Sequence, residues 1–180
     1  MTSLNAFLPT LSELVGASQG VLYERQRSLV RLGLIESRPG RGPGSGVSLT
    51  AQNLAVLLIC YAGSDSLAEV ERTAAVCAAA PFEHDQNFAC PVTGKWFFID
   101  IVTKALSQPE LASRIPRIEI DLNGNRILVA YFPRHPYRIP RHYELYIEED
   151  SPPHKGVMKK SIVSDLDHIS AALMKAQKDE

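Results

Sequence analysis

The chain is poor in residues that would make an assignment easy. Its three cysteines, Cys60, Cys77 and Cys90, form no CxxC pair and are too few for a disulfide framework, so reduced structural thiols are expected. The spacing of Cys77, His84 and Cys90 is unlike a ligand knuckle, so no metal and no cofactor are expected. No apolar run is long enough to span a membrane, and the N-terminus lacks a charged segment before its short apolar patch. A cytoplasmic chain without a membrane partner is therefore the expectation.

Catalytic signatures are also missing. Thr93-Gly94-Lys95 lacks the glycine spacing and the following Ser or Thr of a phosphate loop. Ser45, within Gly-Pro-Gly-Ser-Gly-Val, lacks the strand-to-helix context of a nucleophile elbow. The five histidines stand in no nucleophile or metal motif, so an enzyme is not expected. The single tryptophan, Trp96, reads as a packing anchor.

A net charge of -1 conceals an uneven distribution. Residues 1–50 carry five Arg against three Glu, residues 51–113 three basic against seven acidic residues, and residues 114–180 eleven against ten. Positive charge concentrated in one segment is what a nucleic-acid footprint requires. The segment concerned, Leu11 to Thr50, reads as two short helices followed by a hairpin with a basic, glycine-rich tip. Leu11 and Leu14 mark the first helix, Gly16 the turn, and Ser18 the N-cap of a second helix running to Leu32, which Gly33 ends. Leu34-Ile35-Glu36 and Val47-Ser48-Leu49 read as strands flanking the loop Ser37 to Gly46.

At helical spacing, Val21, Leu22, Leu29 and Leu32 fall on one buried stripe of the second helix. Gly20, Tyr23, Arg27 and Arg31 fall opposite, with Gln19 and Glu24 at the margins. Arg and Gln suit guanine and adenine edges, and Tyr suits phosphate. Arg38 and Arg41 on the loop would neutralise flanking phosphates. The candidate DNA contacts are thus Ser18, Gln19, Gly20, Tyr23, Arg27, Arg31, Arg38, Arg41, Gly42 and Ser45. Arg25 lies near the apolar stripe and must snorkel out or meet an acidic partner.

The order of turn, second helix and directly following wing resembles winged helix-turn-helix transcription regulators, in particular those of the mercury-resistance type and phage excisionases. The run YERQRSLVRLGLI is also similar to phage-like or mobile-element regulators of bacteria. The resemblance covers about the first quarter of the chain. It implies a helix in the major groove and a wing on flanking backbone.

The remainder is too long for the winged segment to be the whole protein, and a second domain is expected. Thr50 caps an apolar helix, Ala51 to Ala62, that must be buried in the chain's own core or against another subunit. Ser66 to Glu69 has capping-box spacing and opens a helix to Ala80, with Val70, Ala74 and Cys77 inward. Trp96 to Leu106 reads as a helix with Trp96, Phe97, Ile99, Val102 and Leu106 in the core, and Pro109-Glu110-Leu111 opens another turn. Arg117 to Leu122 and Arg126 to Tyr131 alternate around Asn123-Gly124-Asn125, a strong hairpin signature, and His142 to Ile147 repeats the alternation. The tail from Ser164 to Lys178 is amphipathic. The basic, proline-stiffened segment Phe132 to His142 reads more readily as an exposed connection than as an arm on DNA or a partner.

The expected fold is α+β: a winged helix-turn-helix with its following buried helix (1–63), a helical connecting region (64–113) and a C-terminal α+β domain of antiparallel sheet packed with helices (114–180). The expected function is sequence-specific transcriptional regulation, as a repressor or an activator, on double-stranded DNA, by a homodimer that is nucleoid-associated when bound. The alternative is a protein-interaction adaptor that uses a winged fold without DNA. A protein partner for the C-terminal domain fits either.

Overall fold

Ser3, Ser18 and Thr50 start three helices by one device: each side-chain oxygen accepts the N–H three residues on, from Ala6 (3.1 Å), Val21 (3.3 Å) and Asn53 (3.1 Å). The computed structural model describes residues 2–38, 40, 46–80, 89–121, 126–132, 141–146 and 161–178, with backbone alone at 76, 78, 79, 121, 126, 141–146 and 161–164.

Helix α1 (Leu4–Val15) begins earlier than Leu11 and runs through Pro9. Leu4, Phe7, Leu8 and Leu11 bury an i, i+3, i+4, i+7 stripe, and that burial outweighs the hydrogen bond Pro9 cannot donate from its exposed position. Gly16, at φ 67°, caps α1 and leaves only Ala17 and Ser18 before α2 (Gln19–Arg31). Helix α2 closes in a Schellman motif: Leu34 N–H donates to Leu29 O (2.9 Å), Gly33 N–H to Val30 O (3.0 Å), and Gly33 adopts φ 71°.

This closure moves the hairpin. Ile35 N–H also donates to Leu29 O, so Leu34 and Ile35 finish the helix cap, and 34–36 do not form the expected strand. The ribbon is β1 (Ser37–Arg38) and β2 (Gly46–Val47), antiparallel, with Ser37 opposite Val47 and Arg38 opposite Gly46. On its other side, Ser3 bridges Ser48 and Leu49 N–H donates to Thr2 O, which joins the start of the chain to the ribbon.

Helix α3 (Ala51–Gly63) is covered by its own chain: α2, α4, α5 and strands β3 and β6 pack around it. Of the two ways to bury it, the internal one holds. A single 3-10 turn (Leu67–Glu69) leads into α4 (Val70–Ala79), where the Glu69 carboxylate accepts the N–H groups of Asp65 (2.8 Å) and Ser66 (3.2 Å). Val70, Ala74 and Cys77 face inward, as their spacing requires.

Helix α5 (Phe98–Leu106) starts two residues after Trp96. Its buried stripe is Phe98, Ile101, Val102, Ala105 and Leu106, whereas Trp96 (43%) and Phe97 (47%) are exposed, and Ile99 is half-buried. The expectation that Trp96 and Phe97 anchor the core is therefore overturned. The Cys90 to Lys95 turn holds them before the helix, and only from Phe98 does an unbroken i, i+3, i+4, i+7 series exist.

After α6 (Pro109–Ala112), strands β3 (Arg117–Asp121), β4 (Arg126–Tyr131), β5 (Arg141–Tyr146) and β6 (Ser161–Ser164) form an antiparallel sheet in the order β5-β4-β3-β6. The first three pair in succession and β6 returns beside β3, the spatial order of a Greek key. Ile118 opposite Val129 and Ile120 opposite Ile127 form the buried face, while Arg117 and Glu119 form an ion pair at 2.5 Å. The Asn123-Gly124-Asn125 turn and residues 133–140 of the basic segment lie outside the described residues.

Helix α7 (Leu166–Lys178) buries Leu166, Ile169 and Leu173 and returns to the N-terminal elements. Thr2 Oγ1 donates to Ala176 O (3.0 Å), Gln177 Nε2 to Leu49 O (3.1 Å), and the buried Ser170 hydroxyl to Leu106 O (2.8 Å). The protein is α+β, with seven α-helices and two antiparallel sheets among the described residues, and all three sequence segments contribute to one core. No described helix is long and apolar enough to cross a membrane.

Candidate nucleic-acid interface

Helix α2 shows opposite faces to core and solvent, but its buried arc is rotated from the expected one. Leu22, Arg25, Gln26, Ser28 and Leu29 are buried; Val21 is 39% exposed and Leu32 half-buried. The arc centres on Leu22, Gln26 and Leu29, an i, i+4, i+7 series, so Val21 is corrected to the surface. Arg25 does not snorkel out, and what it meets is a carbonyl and a ring in place of the expected acid: at 8% exposure its Nη2 donates to Ser64 O (2.7 Å) and its guanidinium lies over the Tyr61 ring (5.6 Å).

The solvent face carries Gln19, Gly20, Tyr23, Glu24, Arg27 and Arg31, with the capping Ser18 also exposed. Arg27 is poised between two neighbours. Its Nη1 contacts Glu24 Oε1 at 3.2 Å and its guanidinium sits 5.9 Å from the Tyr23 ring centre. An exposed i,i+3 ion pair contributes little stability, so its effect is to favour one direction for the Arg27 side chain.

Between this face and the ribbon runs an open groove of about 490 Å³. Tyr23, Arg27 and Arg31 line it from α2, and Ser37 and Gly46 line it from the ribbon. Ser3 and Asn5 reach it from the start of α1, whose first turn carries no acidic residue to offset the helix dipole. The fold thus brings three of the candidate contacts together with the ribbon. Ser18, Gln19 and Gly20 stand on the exposed N-terminal part of α2 outside the groove lining, and Arg38 is exposed on β1. Arg41, Gly42 and Ser45 lie outside the described residues.

Ser3, Asn5 and Gln26 were not legible as site residues. Gln26 had one signal, its place four residues after Leu22 on the buried arc, where a polar side chain needs a reason. Among the described residues, Asp165, Asp167 and His168 bring metal-ligand atoms within 4.8 Å of one another, but Asp165 and His168 are exposed, as surface acidic groups without an ion commonly are. Cys60, Cys77 and Cys90 are buried and form no disulfide. No protein-family model, curated protein or solved structure matches this chain.

Proposed function

We propose that the N-terminal elements are a winged helix-turn-helix and that the protein is a sequence-specific DNA-binding transcriptional regulator. The observation that carries this reading is the groove that places Tyr23, Arg27 and Arg31 of α2 on the same side as the ribbon. In this reading α2 enters the major groove, where Arg27 reads a base edge, while the ribbon and its tip, with Arg38, Arg41, Gly42 and Ser45, follow the flanking backbone. Ser18, Gln19 and Gly20 sit at the N-terminal end of α2, the end that approaches bases in such docking.

A homodimer belongs to the same proposal. It rests on the small footprint of one helix, which symmetric duplication on a palindrome would double. The apolar α3 lends it no support, since that helix is buried within its own chain. Sedimentation with and without DNA tests it, and a 19.8 kDa species under both conditions at micromolar concentration would refute it.

The test of function is a genomic-fragment pull-down at about 0.15 M salt, where nonspecific phosphate attraction is already weakened. Enrichment of fragments sharing half-sites about one helical turn apart is the expected result. On such a site, Arg27→Ala relaxes sequence preference, whereas Arg41→Ala weakens all sequences alike and lowers the log–log salt slope by about one. The adaptor reading draws on the exposed Trp96 and Phe97, aromatic residues of the kind that anchor protein interfaces. Absence of enrichment over random fragments would favour it.

A further inference from the structure

Gln26 is 6% exposed, its Oε1 is enclosed without a hydrogen-bond partner, and the residue nevertheless lines the groove between α2 and the ribbon. A methionine would fill similar volume without a buried unsatisfied acceptor, which is a net liability for the fold. The other end of the carboxamide is an NH₂ group with two donors. The remaining lining agrees in sign. Ser3 and Asn5 flank the N-terminus of α1, Arg27 and Arg31 bring positive charge, and none of the described lining residues is acidic. A site made of donors and cations selects an anion with several acceptor oxygens. At about 490 Å³ and open to solvent, it has room for a stretch of chain beyond an isolated ion.

We propose that this groove is a phosphodiester slot, in which the Gln26 carboxamide donates from the floor to a non-bridging phosphate oxygen of one DNA strand beside the Arg31 guanidinium, while Arg27 at its rim stays directed to the base edge. The proposal rests on the DNA-binding reading and adds a neutral contact at a buried residue. Gln26 makes the protein less stable than it could be and the complex tighter.

The experiment compares wild type with Gln26→Met on a duplex carrying an enriched fragment, by fluorescence anisotropy across a salt series and by thermal melting. The expected result is a melting temperature equal to or above wild type, and duplex affinity lower by about tenfold to a hundredfold, as for loss of a hydrogen bond to a charged group. The log–log salt slope stays unchanged, because no charge has been removed. Unchanged affinity, with wild type still binding, overturns the slot and leaves the DNA reading standing; no duplex binding by wild type at low salt overturns that reading itself.

A second measurement on wild type does not depend on the variant's fold. The Gln26 side-chain NH₂ resonances are followed by NMR while duplex, or inorganic phosphate alone, is added. Movement with duplex and not with millimolar phosphate is expected. No movement with duplex, or saturation by phosphate alone, overturns the assignment to nucleic-acid backbone.

Discussion

The Arg25 guanidinium donates to the Ser64 carbonyl at 2.7 Å, joining the buried side of α2 to the C-cap of α3. Three features hold this charge inside. The C-terminal end of α3 supplies negative potential, the Ser64 carbonyl accepts, and the Tyr61 ring offers its face at 5.6 Å. Arg25→Ala removes all three interactions and leaves a void, with an expected loss of about 2–3 kcal/mol on the scale of a charged hydrogen bond. Arg25→Met keeps the packing and should lose less, as buried charges replaced by apolar residues often do. Urea unfolding of the two variants checks the order; equal losses would show that the charge, and not the volume, dominates.

Gly63 is confined by its neighbours. A Cβ there would stand 2.5 Å from Thr73 Cγ2 and 3.4 Å from Ile120 Cγ2. Thr73 is buried, and its hydroxyl donates to the Gly63 carbonyl at 3.1 Å, so it cannot turn aside without losing that bond. Gly63→Ala is expected to destabilise by about 1–3 kcal/mol from overpacking, despite alanine's better helix propensity. A urea midpoint equal to wild type would mean that α3 and α4 separate more easily than their packing implies.

Burial pushes the Cys60 and Cys77 thiols from an ordinary 9.0 up to about 12, with Arg25 acting against burial at Cys60. Raised folded-state values mean that the unfolded chain ionises first. Stability is therefore intact below about pH 9 and falls as pH rises from there toward 12. Urea unfolding at a series of alkaline pH values should show this fall, and it should be shallower in the Cys60→Ala, Cys77→Ala double variant even though that variant starts less stable. A parallel decline in both proteins would assign the effect to other groups.

Ser18 separates folding from binding. Its hydroxyl accepts the Val21 N–H at 3.3 Å and caps α2. Ser18→Ala is expected to cost about 1 kcal/mol, whereas Ser18→Asp preserves the cap and complements the helix dipole. If this end of α2 approaches DNA, the aspartate variant melts like wild type and yet binds duplex more weakly, because it adds negative charge beside phosphate. Melting curves and anisotropy on the same two proteins supply both readouts.

Of the candidate interface, the exposed arc of Tyr23, Arg27 and Arg31 was legible because helical spacing alone puts these residues on one side. Gln26 was not, since its burial depends on how the rest of the chain covers α2, and its unpartnered oxygen is visible only once that cover is in place. Trp96 misled for a related reason: hydrophobicity favours burial but does not ensure a place in the core, and the Cys90 to Lys95 turn ends before the buried stripe of α5 begins.

The sequence by itself determined the features written in bonds between near neighbours. Ser3, Ser18 and Thr50 start helices, Gly16 and Gly33 end them, Glu69 holds the entry to α4, and alternating residues in 117–131 pair β3 with β4. Tertiary structure alone decided the pairing of β6 with β3, the return of α7 to the N-terminal elements, the enclosure of α3 within its own chain, and the rotation of the buried arc on α2. The physical reason is the range of the interactions. A cap or turn is satisfied within a few residues of chain, whereas burial depends on which distant surfaces arrive to exclude water.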